Sequence, residues 1–493
     1  VSLQKTSLND KFDLEKSQVL MNGTQALVRL MLMQKARDKA AGLNTAGYVT
    51  GYRGSPLGAV DFQMTRAAKP LAAADIKFEE GLNEDLAATA LWGAQQAELR
   101  GEGRFDGVFG LWYGKGPGVD RTGDVMRHAN MAGTSKNGGV VMAMGDDHTG
   151  ESSTVLHQSE FAMIDSYMPV VSPAGVQEMM DYGLYAYALS RFAGVWVGLK
   201  TMKDTVEVTS VVNGDPHRLN FVEPDYEMPE GGLNIRLVDD RHLQEARLLD
   251  HKRYAAEAFS RANKMDKRVW GKAGAKIGFV AAGKNWLDLV HALSLLNIDE
   301  SEAERIGLST YKIGQTWPMD MKGFNEWAEG LDLIVVVEEK RKLIEVQIKE
   351  ALFDDRRGRR VYGERREGRE MFPVRGALEP IMIAEHLGSI LTDEGCGTSG
   401  IKAGLAELQD ARRADNAPQL AARLPYFCSG CPHNSSTKVP EGSRAYAGIG
   451  CHFMVQWMDR DTLGFTHMGG EGANWIGEAP FSKREHVFQN IGD

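Results

Sequence analysis

Apolar residues fall into two kinds of run that alternate along the first half of the chain. Short runs such as TAGYVTG, DGVFGLWYG, GGVVMAMG and AGVWVGLK end in Gly, Pro or charged residues. They are too brief for helices and read as strands buried on both faces. Between them lie longer stretches with apolar positions at helical spacing, such as NEDLAATALWGAQQAEL and VQEMMDYGLYAYALSRF, and Asn83 is placed to cap the first of these. Strands alternating with helices from about Leu20 to Glu223 predict a parallel sheet covered on both sides. Ligands of such sheets sit beyond the carboxyl ends of the strands, where GYRGSPLG, WYGKGPG and MGDDHTGESS fall.

The pattern then changes. Residues 224–268 are more polar and helical and read as a connector after the N-terminal segment 1–19 and the first unit 20–223. AKIGFVAAG, ERIGLSTYKIG and LDLIVVVEE, each followed by a helical stretch, predict a second, smaller α/β unit over 269–353. Residues 354–423 read as a linker, first arginine-rich and then helical. Its opening DDRRGRRVYGERREGRE, with seven arginines among acids, is expected to be solvated. A patch for an acidic partner, or for a coenzyme phosphate, is the alternative. A third unit, 424–493, opens with PYFCSGCPHN and is expected to be truncated where the sequence reaches Asp493. The predicted class is α/β, multi-domain and built on parallel sheets.

Composition narrows the functions. With 57 Lys and Arg against 67 Asp and Glu the chain is acidic, net −10, which gives no electrostatic reason to expect nucleic acid or an anionic membrane. No apolar run approaches the ~18 residues of a membrane span, and the first twenty residues do not read as a signal peptide. A cytoplasmic location is the default expectation. Four cysteines in 493 residues are too few for a disulfide-built fold.

Three of those four are close together. Cys428 and Cys431 form a C-x-x-C, and Cys451 follows after 19 residues. Such thiolates hold an iron–sulfur cluster or a zinc ion, or remain reduced and unliganded. His433 or His452 would complete a zinc site; a further cysteine would complete a [4Fe–4S] cluster. Cys396 reads as a small buried residue. Glu84 stands in the first turn of a helix, where an acid serves the helix dipole or hydrogen-bonds a cofactor. Gly492-Asp493 follows an apparent strand, as in a G-D-G turn whose Asp ligates the magnesium on a cofactor diphosphate.

Taken in order, these motifs resemble the indolepyruvate:ferredoxin oxidoreductases, within the wider 2-oxoacid:ferredoxin oxidoreductases. GYRGSPLG is similar to a Tyr-Pro-x-Thr-Pro loop against substrate and cofactor, with Arg53 and Ser55 replacing the usual Pro and Thr. NEDLAATALWGA resembles the helix whose glutamate meets the thiamine aminopyrimidine, which implies that role for Glu84. WYGKGPG makes Lys115 a candidate for the substrate carboxylate, alongside Arg53 and Ser55. GDDHTGESS resembles an Asp-Asp-Pro loop with a Ser pair, here Ser152 and Ser153. VVVEEKRKLIEVQIKEAL is similar to the family's Glu-Glu-Lys-Arg helix, and FCSGCPHN with GIGCH to its cysteine motifs.

The resemblance implies a thiamine-diphosphate-binding fold, with a pyrimidine-binding domain over 20–223, a transketolase C-terminal-like domain over 269–353 and the start of a diphosphate-binding domain over 424–493. It implies cofactor contacts at Ser55, Pro56, Glu84, Gly450, His452, Gly469, Gly470 and Gly472, a [4Fe–4S] cluster on Cys428, Cys431 and Cys451, and Mg2+ on Asp493. The implied reaction takes a 2-oxoacid, most simply an aryl pyruvate, to acyl-CoA and CO2, with electrons passed to ferredoxin or a similar carrier. Trp92, Trp112 and Tyr113 are core residues or favour an aromatic substrate. The chain alone is expected not to turn over, needing the rest of the enzyme or a partner subunit, and to form a homo-oligomer. Two other readings stand beside this one. The first is a non-redox thiamine-diphosphate decarboxylase or ligase; the second is a zinc-stabilised, non-catalytic subunit.

Overall fold

The computed structural model describes residues 6–151, 153–354, 357–415 and 424–491. They form two compact units, one from the described residues of 1–149 and 157–410, the other from those of 150–156 and 411–493.

The first unit is organised by two sheets. Seven strands, in the spatial order Gln315–Trp317, Val170–Val171, Trp196–Met202, Val140–Asp146, Val108–Lys115, Ala46–Gly51 and Ile76–Phe78, make the larger one. All pair in parallel except the antiparallel edge strand Gln315–Trp317. Its central strands are buried nearly throughout, as a sheet covered on both faces requires. One face is covered by the helices Gly23–Ala40 and Val176–Ala193, which approach closely where Gly183 meets Leu30. A Cβ on Gly183 would stand 2.4 Å from Leu30 Cδ2, so only glycine permits this crossing. The first helix starts in a capping box between Asn22 and Gln25.

Arg29 is the exception on that helix, a fully buried guanidinium amid apolar side chains. It donates hydrogen bonds to the carbonyls of Asp10, Lys11, Asp13, Lys16 and Gly214 at 2.8–3.2 Å. One side chain thus satisfies the backbone of the N-terminal segment and of the chain leaving the strand Thr209–Asn213.

The second sheet has the order Arg360–Tyr362, Leu333–Val337, Ile277–Ala282, Leu308–Ile313 and Lys267–Arg268, parallel but for its last strand. Residues 357–415, expected to be a linker, contribute its edge strand and the helix Pro380–Asp393. That helix packs Ile383, Ala384 and Leu387 into the same core as Phe279 and Leu289. The arginines reach acids on this helix: Arg360 pairs with Glu394 at its end, at 2.6 Å, and Arg366 with Asp393 at 2.5 Å. Such exposed pairs contribute little, and it is the apolar face beneath that fixes the segment.

In the second unit, the strand Ala445–Ala447 pairs in parallel with Thr462–Phe465 and Phe488–Gln489 over a small core of Phe427, Ala447 and Val455. No described helix is long and apolar enough to cross a membrane.

Arg29→Met would keep the apolar stem but take one donor from each of five backbone carbonyls, of which those of Asp10 and Asp13 keep a backbone N–H partner. It is expected to cost on the order of 3 kcal/mol in urea unfolding, since a buried group stripped of its partner keeps its desolvation penalty. Wild-type stability in this variant would contradict that role.

Candidate functional site

Four loops meet at the carboxyl ends of the larger sheet. The strand Ala46–Gly51 leads into the loop carrying Arg53, Ser55 and Pro56, with a cis Ser55–Pro56 bond. Arg53 and Ser55 are exposed and Pro56 is buried. The strand Ile76–Phe78 precedes the helix Glu84–Ala94, whose Asn83 cap accepts the Leu86 N–H at 2.8 Å. Glu84, at the first position of that helix, is only 3% exposed. Its carbonyl accepts the Trp112 indole N–H at 3.1 Å, which ties the helix start to the next strand.

That strand, Val108–Lys115, turns through Gly116 and Gly118 into the short helix Gly116–Arg121. A Cβ on Gly118 would lie 2.7 Å from Glu84 Oε1, so the turn packs directly against the carboxylate, an approach a side chain there would block. The Lys115 stem lies against Gly54, where a Cβ would meet its Cδ at 2.8 Å. Burial lowers the Lys115 pKa, opposed by the charges of Glu84 and Asp147. Pro56 abuts Gly145 at the end of the fourth loop's strand, Val140–Asp146. The predicted Arg53, Ser55, Pro56, Glu84 and Lys115 therefore share one edge of one sheet. Trp112 and Tyr113 are wholly buried in the sheet's cores, and Trp92 stacks on His128.

Beside this edge lies a buried charge network to which no role was assigned from the sequence. Asp146 accepts both the N–H and the hydroxyl of Ser159, and it lies 3.6 Å from His157 Nδ1, 3.8 Å from His148 Nε2 and 3.9 Å from Lys200 Nζ. Burial would raise its pKa, but the two histidines and Lys200 outweigh burial and hold it well below the usual carboxylate range. His148 pairs through Nδ1 with Glu339, which follows the strand Leu333–Val337 of the second sheet. Glu339 also accepts from Lys284 at 3.2 Å and the Leu378 N–H at 3.0 Å. Burial opposes its charge, yet His148 and Lys284 keep its pKa well below the ordinary range. Lys200 pairs with Glu160. His157 Nε2 meets Asp120 at 2.8 Å. Burial alone would lower the His157 pKa, but Asp120 and Asp146 push it up to about 9. The sequence signal was there in outline: an acid directly after an all-apolar strand, in VVMAMGD and LIVVVEE.

In the second unit, Gly450 and His452 come together with Gly469, Gly470 and Gly472. A Cβ on Gly448 would meet both His452 Nε2 and Glu471 Cγ at 2.9 Å. Glu471 accepts the Gly469 N–H at 2.8 Å, and Gln489 the Gly472 N–H at 3.0 Å. His452 is fully buried with neither ring nitrogen hydrogen-bonded. Burial lowers its pKa, helped by His433, whose ring centroid is 5.4 Å away. Cys428 and Cys451 are exposed and Cys431 is half-buried, in a turn where the Cys431 N–H donates to the Cys428 carbonyl at 3.0 Å. Among the described residues no three His, Cys, Asp or Glu side chains are grouped so as to hold a metal ion. Ser152 and Asp493 lie outside the described residues.

Comparison with a solved structure bears on the fold. The 2-oxoglutarate:ferredoxin oxidoreductase from Magnetococcus marinus aligns over 76% of this chain and 65% of its own, with a TM-score of 0.52 and 13% identity. The fold is thus the multi-domain α/β, parallel-sheet architecture of that enzyme class. Residues 267–415 match the indolepyruvate oxidoreductase domain, which spans the second sheet together with Lys284 and Glu339. The indolepyruvate oxidoreductase subunit IorA of Methanothermobacter marburgensis is 23% identical over 409 residues, 83% of this chain and 59% of the relative. That of Pyrococcus abyssi is 25% identical over 354 residues, 70% of this chain and 48% of the relative. Over residues 267–415 the chain carries a match to the indolepyruvate oxidoreductase domain, and it spans about half to three fifths of the length of these similar relatives.

The His157 pKa, raised from its unfolded value of 6.5 to about 9, ties stability to pH. The native state holds the extra proton. Its contribution is therefore complete below pH 6.5 and lost as the pH rises through 9, on the order of 3 kcal/mol in all. The stability difference between wild type and His157→Gln should shrink over that window in urea titrations. Taking the difference removes Lys252, which burial lowers to about 7 and whose contribution runs the opposite way. A difference independent of pH would contradict the assignment.

Proposed function

We propose that this chain provides the thiamine-diphosphate site of an enzyme that oxidatively decarboxylates a 2-oxoacid, indolepyruvate or another aryl pyruvate. The products are acyl-CoA and CO2, and the electrons go to ferredoxin or a similar carrier. The observation that carries the reading is Glu84, a buried carboxylate that opens a helix at the carboxyl edge of a parallel sheet, with the Gly118 turn packed against it and Lys115 nearby. On this reading residues 20–223 are the pyrimidine-binding part, 269–353 the transketolase C-terminal-like part, and 424–493 the start of the diphosphate-binding part.

The residues present fit the cofactor at two places. Glu84, the buried carboxylate at the helix start, would hold the aminopyrimidine. In the second unit, the glycine-rich turns around His452 offer a buried imidazole with no hydrogen-bond partner and backbone that approaches closely. When bound, thiamine diphosphate supplies a carbon nucleophile and an electron sink. The protein's share is positioning and charge. Glu84 would accept a hydrogen bond from a proton-bearing ring nitrogen of the cofactor. Lys115, with Arg53 at the exposed rim, receives the substrate carboxylate, and Ser55 offers a hydroxyl beside them. Burial of Glu84 and Lys115 strengthens both interactions by excluding water. Asp493 is proposed to ligate Mg2+. Cys428, Cys431 and Cys451 remain the proposed cluster ligands, but among the described residues the three are not grouped so as to hold a metal, so no step is derived through a cluster.

Glu84→Gln in the holoenzyme is expected to lower kcat by roughly 10^2- to 10^4-fold, the usual worth of a positioned acid or base. The melting temperature should stay close to wild type. The assay is dye reduction with indolepyruvate, coenzyme A, thiamine diphosphate and Mg2+. Unchanged turnover would overturn the role of Glu84.

A further inference from the structure

The turn from Lys115 to Gly118 is closed in from both sides. On one side Gly118 faces the Glu84 carboxylate. On the other, Gly116 lies under the His157 imidazole, where a Cβ would meet Cγ at 2.3 Å. His157 is held in turn by two acids from different elements. Its Nε2 meets Asp120 on the short helix that the turn begins, at 2.8 Å, and its Nδ1 stands 3.6 Å from Asp146 at the end of the neighbouring strand. The Ser159 hydroxyl is 3.3 Å from Nδ1. His148 then couples Asp146 to Glu339 of the second sheet.

We infer that His157 is a positioning residue for the proposed cofactor site: by bridging Asp146 and Asp120 it pins the Lys115–Gly118 turn and so sets where Glu84 and Lys115 stand. The inference rests on the proposed role of Glu84. A protonated imidazole is hydrogen-bonded to Asp120 through Nε2 and ion-paired with Asp146 at 3.6 Å, whereas a neutral one lacks the charge that attracts both carboxylates. The charged groups that face His157 are Asp120 from the short helix and Asp146 from the strand end. Asp146 is itself shared with His148 and Lys200. The attraction to both acids therefore holds while the imidazole stays cationic, and it weakens above about pH 9.

The test combines hydrogen exchange and kinetics on the holoenzyme, comparing wild type, His157→Ala, Asp120→Asn and Glu84→Gln. Asp120 is largely exposed, so its variant should fold even if His157→Ala does not. In both His157→Ala and Asp120→Asn, peptides over 84–94 and 115–121 should exchange faster without cofactor while the rest of the sheet is unchanged. Turnover should drop roughly 10- to 100-fold, as small misplacements in active sites do. The alkaline limb of the pH profile, near 9 in wild type, should move to lower pH in Asp120→Asn, a change that lost packing alone would not produce. Wild-type exchange in 115–121 and an unmoved limb in Asp120→Asn would overturn the inference. If Glu84→Gln impairs turnover while the other two variants match wild type, the inference falls and the reading of Glu84 stands. If Glu84→Gln matches wild type, the reading of Glu84 falls and takes the inference with it.

Discussion

Asp146 is the charge on which the site edge depends. A carboxylate at the end of a central strand, fully out of water, is costly unless it is compensated from several sides. Here the compensation comes from Ser159, His148, His157 and Lys200, each from a different position along the chain. Satisfying one buried acid thus draws the loop after its own strand, the strand Trp196–Met202 and the helix Gly116–Arg121 toward one point. Through His148 and Glu339 the same network reaches the second sheet.

Much of the architecture was legible in the sequence because it follows from periodicity. Apolar runs such as VVMAMG and LIVVV can only be strands with both faces covered, and the structure has them as the strands Val140–Asp146 and Leu333–Val337. The helix start at Glu84 was legible too, since an acid in the first turn after an Asn cap is a local signal. The arginine-rich stretch misled because a run of charge reads as solvated. Its strand Arg360–Tyr362 instead completes a sheet edge, with Tyr362 turned into the core and the arginines paired outward. Arg29 could not be read from its own helix, because its five acceptors lie 13 to 185 residues away. The His148–Glu339 pair, 191 residues apart, is beyond local pattern for the same reason.

The family match adds a physical point. The matched segment, 267–415, contains neither Glu84 nor Lys115, yet it supplies Glu339, Lys284 and Asn285, which anchor His148 from the side of the second sheet. A domain without the proposed reacting groups can therefore still govern them, through buried charges that must be paired to be tolerated. The cysteine motif follows a different logic. Its three thiols sit in a unit with a small core, where little packing fixes their positions.

The most direct measurement is a crystal structure of the holoenzyme with thiamine diphosphate bound. The account predicts the Glu84 carboxylate within hydrogen-bond reach of the aminopyrimidine, about 2.6–3.2 Å. Gly118 should then lie alongside the ring and Lys115 face the substrate side. A cofactor bound elsewhere, or one whose aminopyrimidine is met by another residue while Glu84 still faces only Gly118 and Lys115, would contradict it.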